Sequence, residues 1–128
     1  MFDKIRILVC YDGSVQSKKA LAEAISVSKR FSGFIKVVNA YEKDKKKEAE
    51  ITINEAEQVL EKEEVTYEVS LVLSSNPAKT LGVIAKQENI GLIVIGNRGL
   101  GNTLSFLLGS VSKQIVADAH CNVLVVKK

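Results

Sequence analysis

The stretch GLIVIGNRGLGNTLSFLLGSVSKQ, Gly91–Gln114, carries the reading of this chain. Its opening is a short apolar run rich in β-branched residues and bounded by glycine, the pattern of a buried strand. Its end begins a segment, Ser110 to Ala119, in which Val111, Ile115 and Ala119 recur at helical spacing. Between them Gly96, Gly99, Gly101 and Gly109 crowd together. Glycine loses more freedom on folding than any other residue, so the cluster is either a plain strand-to-helix turn or a backbone shaped against a ligand.

The same alternation runs through the rest of the chain. Ile5–Tyr11 reads as a first strand closed by the turn signal Asp12-Gly13-Ser14. Ser14 is a candidate N-cap for a helix reaching Phe31, with Leu21, Ala24, Ile25, Ser28 and Phe31 on one face and Gly33 as its stop. Phe34–Tyr41 is a second strand, and the charged run Glu42–Glu50 reads as a solvated entry to a helix carrying Ala49, Ile53, Ala56 and Leu60 inward. Val65–Leu73 is a third strand. Asn76 then caps a helix that has Pro77 in its first turn and Leu81, Ile84 and Ala85 on its inner face. Gly91–Gly96 is the fourth strand, and the segment from Asn122 is the fifth.

Five short, apolar, mostly non-alternating strands separated by four helices predict one α/β domain spanning residues 1–128. Its parallel sheet is expected to be doubly wound, with helices on both faces. A net charge of +3 and 5% aromatic residues do not make a nucleic-acid surface. Cys10 and Cys121 have no metal-ligand or redox spacing, and both are expected to be reduced and inert. No membrane-length apolar run or signal-peptide pattern is present, so a cytoplasmic protein without a membrane partner is expected.

In a sheet of this kind ligands bind beyond the carboxyl ends of the strands, where strand order reverses. Asp12, Gly13 and Ser14 end the first strand, and Gly96, Asn97, Arg98 and Gly99 end the fourth. Gly109, Ser110, Val111 and Ser112 open the last helix, whose free N–H groups and partial positive charge suit phosphate, with the Ser110 and Ser112 hydroxyls as further donors. Neither the P-loop pattern nor the dinucleotide GxGxxG is present, which disfavours an NAD enzyme. No nucleophile has a placed base. His120, the only histidine, falls near the end of the last helix, so no catalytic residue is assigned.

The spacing Gly96-x2-Gly99-x9-Gly109-Ser110 resembles the nucleotide signature of the universal stress protein family, in its ATP-binding, UspA-like subgroup. ILVCYDGS, GLIVIGNRG, LLGSVSKQIV and NVLVV extend the resemblance over the whole chain. The resemblance implies strand order 3-2-1-4-5 and a site for ATP, AMP or ADP, with Mg2+ or Mn2+ carried by the phosphates. It would put Asp12 at the ribose or at a water of that ion, and the backbone of Ala40 at the adenine edge. Ile95 and Gly96 would contact adenosine; Gly99, Gly109, Ser110, Val111 and Ser112 would hold the phosphates. Arg98 would either pair with a phosphate or remain solvated. No metal ligand of the chain itself is implied.

The implied role is a nucleotide-binding module in regulation or stress response. A dimeric interaction protein working without nucleotide, or a slow ATPase, are the alternatives. Gly91 and Asn122 stand where the family often has Asp and Pro. The resemblance also implies a homodimer, joined through an apolar edge strand at Asn122–Lys127 that would otherwise be left uncovered.

Overall fold

The computed structural model describes residues 4–97 and 109–127. Nine elements follow in strict alternation: β1 (Arg6–Cys10), α1 (Val15–Phe31), β2 (Phe34–Tyr41), α2 (Lys46–Glu61), β3 (Thr66–Leu73), α3 (Pro77–Gln87), β4 (Leu92–Gly96), α4 (Ser110–Asp118) and β5 (Asn122–Val126). The five strands form one sheet in the order β3-β2-β1-β4-β5, and every neighbouring pair is parallel. Strand order therefore reverses between β1 and β4, as expected of a doubly wound sheet.

The three central strands, β1, β2 and β4, are buried on both faces because each face meets helices. From β1, Ile7, Val9 and Tyr11 enter one core with Leu21, Ile25, Ala56 and Leu60 of α1 and α2. Leu8 enters the opposite core with Leu81 and Ala85 of α3 and Ile115 of α4. This two-sided burial is why the strands lack the polar alternation of a half-exposed sheet.

The helices start much as their sequences indicate. Ser14 caps α1, its Oγ accepting from Ser17 N at 3.1 Å, and Asn76 caps α3 ahead of Pro77. All four inward residues expected of α2 are buried. Phe31 is not: it is 66% exposed, because it is the last residue of α1 and the chain turns away at once. Nor does Gly33 make that turn. Ser32 adopts the left-handed conformation (φ 52°), while Gly33 is needed for close approach, since a Cβ there would lie 2.8 Å from Ile5 Cγ2. Ile84 is half-buried, and Ala78 joins Leu81 and Ala85 on the buried face of α3.

One core position breaks the apolar pattern. Lys36 in β2 is buried, 2.7 Å from Glu88 and 3.4 Å from Glu68, its direct neighbour across the β2–β3 ladder. Burial by itself pushes the ammonium pKa down, but the two carboxylates outweigh it and the net shift is upward. Among the described residues no helix is long and apolar enough to cross a membrane.

Candidate nucleotide site at the strand ends

β1 and β4 lie side by side and end at the same edge of the sheet, so Asp12 and Asn97 follow neighbouring strand ends. The β1 loop is rigidly built. Asp12 Oδ1 accepts from Ser14 N at 2.9 Å, Gly13 takes φ 85°, and Ser14 then caps α1. Tyr11 N donates to Val38 O at 2.9 Å, and Asn39 Nδ2 donates to Tyr11 O at 3.0 Å, so β2 braces the loop. Val38 thus faces β1, while Tyr41 O accepts from Ser74 N on the β3 side. The alternation of a parallel ladder then turns the Ala40 N–H and C=O toward the space beyond the end of β1.

At β4 the structure changes the reading of two residues. The Ile95 side chain is buried in the α3–α4 core, and its backbone pairs with Val125 of β5. Gly96 is glycine for packing: an added Cβ would lie 2.6 Å from Gln16 Cβ and 2.8 Å from the Gln16 carbonyl carbon. The missing side chain admits the first turn of α1, so the expected room for a ligand on that side is already filled.

Asn97 is the residue the sequence did not single out. Its N–H donates to Val126 O at 3.0 Å, and its carbonyl accepts from Gly109 N at 2.6 Å and Ser112 Oγ at 3.0 Å. This one residue therefore fastens the start of α4 to the ends of β4 and β5. Asn97 is 4% exposed, and its buried Oδ1 has no hydrogen-bond partner among the described residues. A buried acceptor left unpaired is costly. The signal available in the sequence was only that a polar side chain directly follows an apolar strand.

The start of α4 differs from that of α1. Its N-cap is Gly109, and no side chain caps the first turn. Ser110 is its exposed first residue. Ser112 is buried, and its hydroxyl is committed to the carbonyls of Asn97 and Gly109, so it is not the free donor the sequence predicts. Its backbone N–H, like those of Ser110 and Val111, belongs to the first turn, where a helix has no internal acceptor to offer. Asp12, Ala40, Ile95 and Gly96 thus gather at the strand ends, and Asn97 ties Gly109 through Ser112 to them. Arg98 and Gly99 lie outside the described residues.

The family model that describes the universal stress protein family matches residues 5–127. The chain belongs to the universal stress protein family. A universal stress protein of Thermus aquaticus is 37% identical over 133 residues, covering 94% of this chain and 97% of that one. Among solved structures, a universal stress protein in complex with cAMP superposes with a TM-score of 0.81 at 24% identity, covering 97% of each chain. A universal stress protein from Archaeoglobus fulgidus in complex with dAMP gives 0.79 at 22% identity, covering 99% of this chain and 100% of that one. Likenesses at these identities establish the shared fold, and the nucleotides belong to those proteins.

Proposed function

We propose that this universal stress protein is a regulatory module that binds an adenine nucleotide, with ATP, ADP and AMP as candidates, in the crevice beyond β1 and β4. The observation that carries this reading is the first turn of α4, which no described side chain caps, together with the buried Oδ1 of Asn97, which has no hydrogen-bond partner among the described residues. A phosphate would take the N–H groups of Ser110, Val111 and Ser112 together with the positive end of the helix dipole. Asn97 offers an acceptor to a ligand hydroxyl or amino group. The outward backbone of Ala40 supplies one donor and one acceptor in the arrangement an adenine edge requires. Asp12, which accepts from Ser14 N within its own turn, would stand at the ribose or at a water of a phosphate-bound divalent ion. Arg98 and Gly99 would close the phosphate side. Related proteins crystallised with cAMP and dAMP support the choice of adenine.

Calorimetric titration with ATP, ADP and AMP, each with and without magnesium, tests the reading. Saturable binding that Ser110→Ala weakens and Gly109→Asp removes is the expected result. No heat with any of the three nucleotides would overturn it. Multiple turnover of bound ATP would instead make the protein an ATPase.

The same reading includes a cytoplasmic homodimer. β5 is an edge of the sheet, and Val123 to Val126 are only half-buried there, which favours pairing with a second copy. Sedimentation at micromolar concentration should give a dimer, and Val125→Lys a monomer; a monomeric parent protein would remove this part of the proposal.

A further inference from the structure

Gly82 lies in the interior of α3, where glycine destabilises a helix relative to alanine. No close contact accounts for it. A Cβ built there would meet nothing within 4 Å among the described residues, whereas one on Gly33 or Gly96 would collide with a neighbour. The space above Gly82 belongs to a crevice of about 240 Å3 between α3 and α4. Ile93, Ala78, Val83, Ile115 and Ala119 give it apolar lining. Lys79 and Lys86, one helical turn before and after Gly82 on the same face of α3, line it as well. Among the described residues neither ammonium is held in an ion pair, although Lys29 and Lys36 are both held by carboxylates. From α4, Asp118 and Gln114 complete the wall with His120 just beyond the helix, so two lysines face one carboxylate.

We propose that the α3–α4 crevice is a second binding site, separate from the strand-end crevice, for a small amphiphilic anion. Its apolar body rests on Ile93 and Ile115 in the space Gly82 keeps open, and its anionic head meets Lys79 and Lys86. The volume suits a body of about eight non-hydrogen atoms at water-like packing, which indicates a short-chain or single-ring carboxylate rather than a nucleotide. A mostly apolar cleft with a few charged groups that fix orientation is the usual form of a small-molecule site. Lys79 and Lys86 keep the charge of the head matched, and the absent side chain at Gly82 leaves room for the body.

The test titrates the full chain with hexanoate and with 1-hexanol, which has the same apolar body without the charge, following heat and the methyl resonances of Ile93 and Ile115. Hexanoate should bind saturably and about tenfold more tightly than the alcohol, the margin of a charge-assisted contact. The double variant Lys79→Gln/Lys86→Gln, changed only at exposed positions, should remove that margin and leave hexanol binding unchanged. Gly82→Leu should abolish binding of both compounds, while Gly82→Ala should retain hexanoate. Three results would each overturn the proposal: no saturable hexanoate binding, equal affinity in the double-lysine variant, or competition by AMP, which would place the carboxylate at the strand ends. Protection of the same methyls by self-association alone would overturn it too, by making the crevice an interface between copies.

Discussion

Two helices begin at the same edge of the sheet, from neighbouring strands, and they begin differently. At α1 the chain supplies its own acceptors: Asp12 takes Ser14 N, and Ser14 Oγ takes Ser17 N. At α4 the N-cap is a glycine without a side chain, and the buried Oδ1 of Asn97, whose carbonyl holds the helix start, has no hydrogen-bond partner among the described residues. A helix end closed by its own residues stabilises the fold and has little left for a ligand. One left open stabilises less and keeps its donors for something else. The start of α1 is held by the chain's own side chains, whereas the start of α4 is where the phosphate of the proposed ligand would lie.

The largest effect expected at the closed end comes from Gly96→Ala. The added methyl cannot coexist with Gln16 at 2.6 Å, so the first turn of α1 must move. Overpacking of this kind should cost about 3 kcal/mol, read as a lowered midpoint in urea. An unchanged midpoint would mean that α1 is not seated against β4 as described.

Gly109→Asp attacks the open end from the opposite direction. Gly109 has φ −69°, which any residue adopts, and a carboxylate there would cap α4 and complement its dipole. Stability should rise by about 0.5 kcal/mol, while nucleotide affinity should fall about 100-fold, equivalent to roughly 2.7 kcal/mol. A variant that gains stability and keeps its affinity would show that phosphate does not sit at this helix end.

A paired serine test is smaller. Ser14→Ala should cost about 1 kcal/mol through loss of a cap, whereas Ser110→Ala, at an exposed position that caps nothing, should stay within about 0.5 kcal/mol. Equal costs from denaturant curves would erase the contrast between the two ends.

The smallest effect is absent at neutral pH. Burial first, then the nearby Asp12 carboxylate, pushes the Cys10 thiol up to about 12 from its usual 9.0. The folded state thus holds this proton after the unfolded chain has released it, and the associated stability is present below pH 9 and lost as pH rises toward 12. Cys10→Ala should flatten that alkaline decline. Native Cys10 should also resist iodoacetamide at pH 8 until denaturant is added; rapid native alkylation would show an open β1 end.

Much of this arrangement was readable from residue order. Periodicity located the strands and three of the helices to within a few residues, because each element buries its own face, whereas α2 begins at Lys46, inside the charged run read only as a solvated entry. Ser14 and Asn76 were recognisable as caps because a cap acts within three residues of itself. The glycine spacing from Gly96 to Ser110 carried the family. Less of the candidate site was legible, since what fills a crevice depends on segments distant along the chain. Ser112 looked like a free hydroxyl until Asn97, 15 residues earlier, proved to hold it.

By itself, then, the sequence determined the alternation of elements, the parallel two-sided sheet and the family, all of which follow from local pattern and short motifs. Tertiary structure alone decided that Gly96 makes room for Gln16, that Lys36 is buried between Glu88 and Glu68, and that Asn97 binds α4 to the sheet while its buried Oδ1 finds no partner among the described residues. Each of these depends on β1 lying beside β4 or β2 beside β3, and on helices seated across them. The physical reason is range: propensity and capping act over a few residues, whereas steric exclusion, ion pairing and hydrogen-bond satisfaction act between whatever the fold brings into contact.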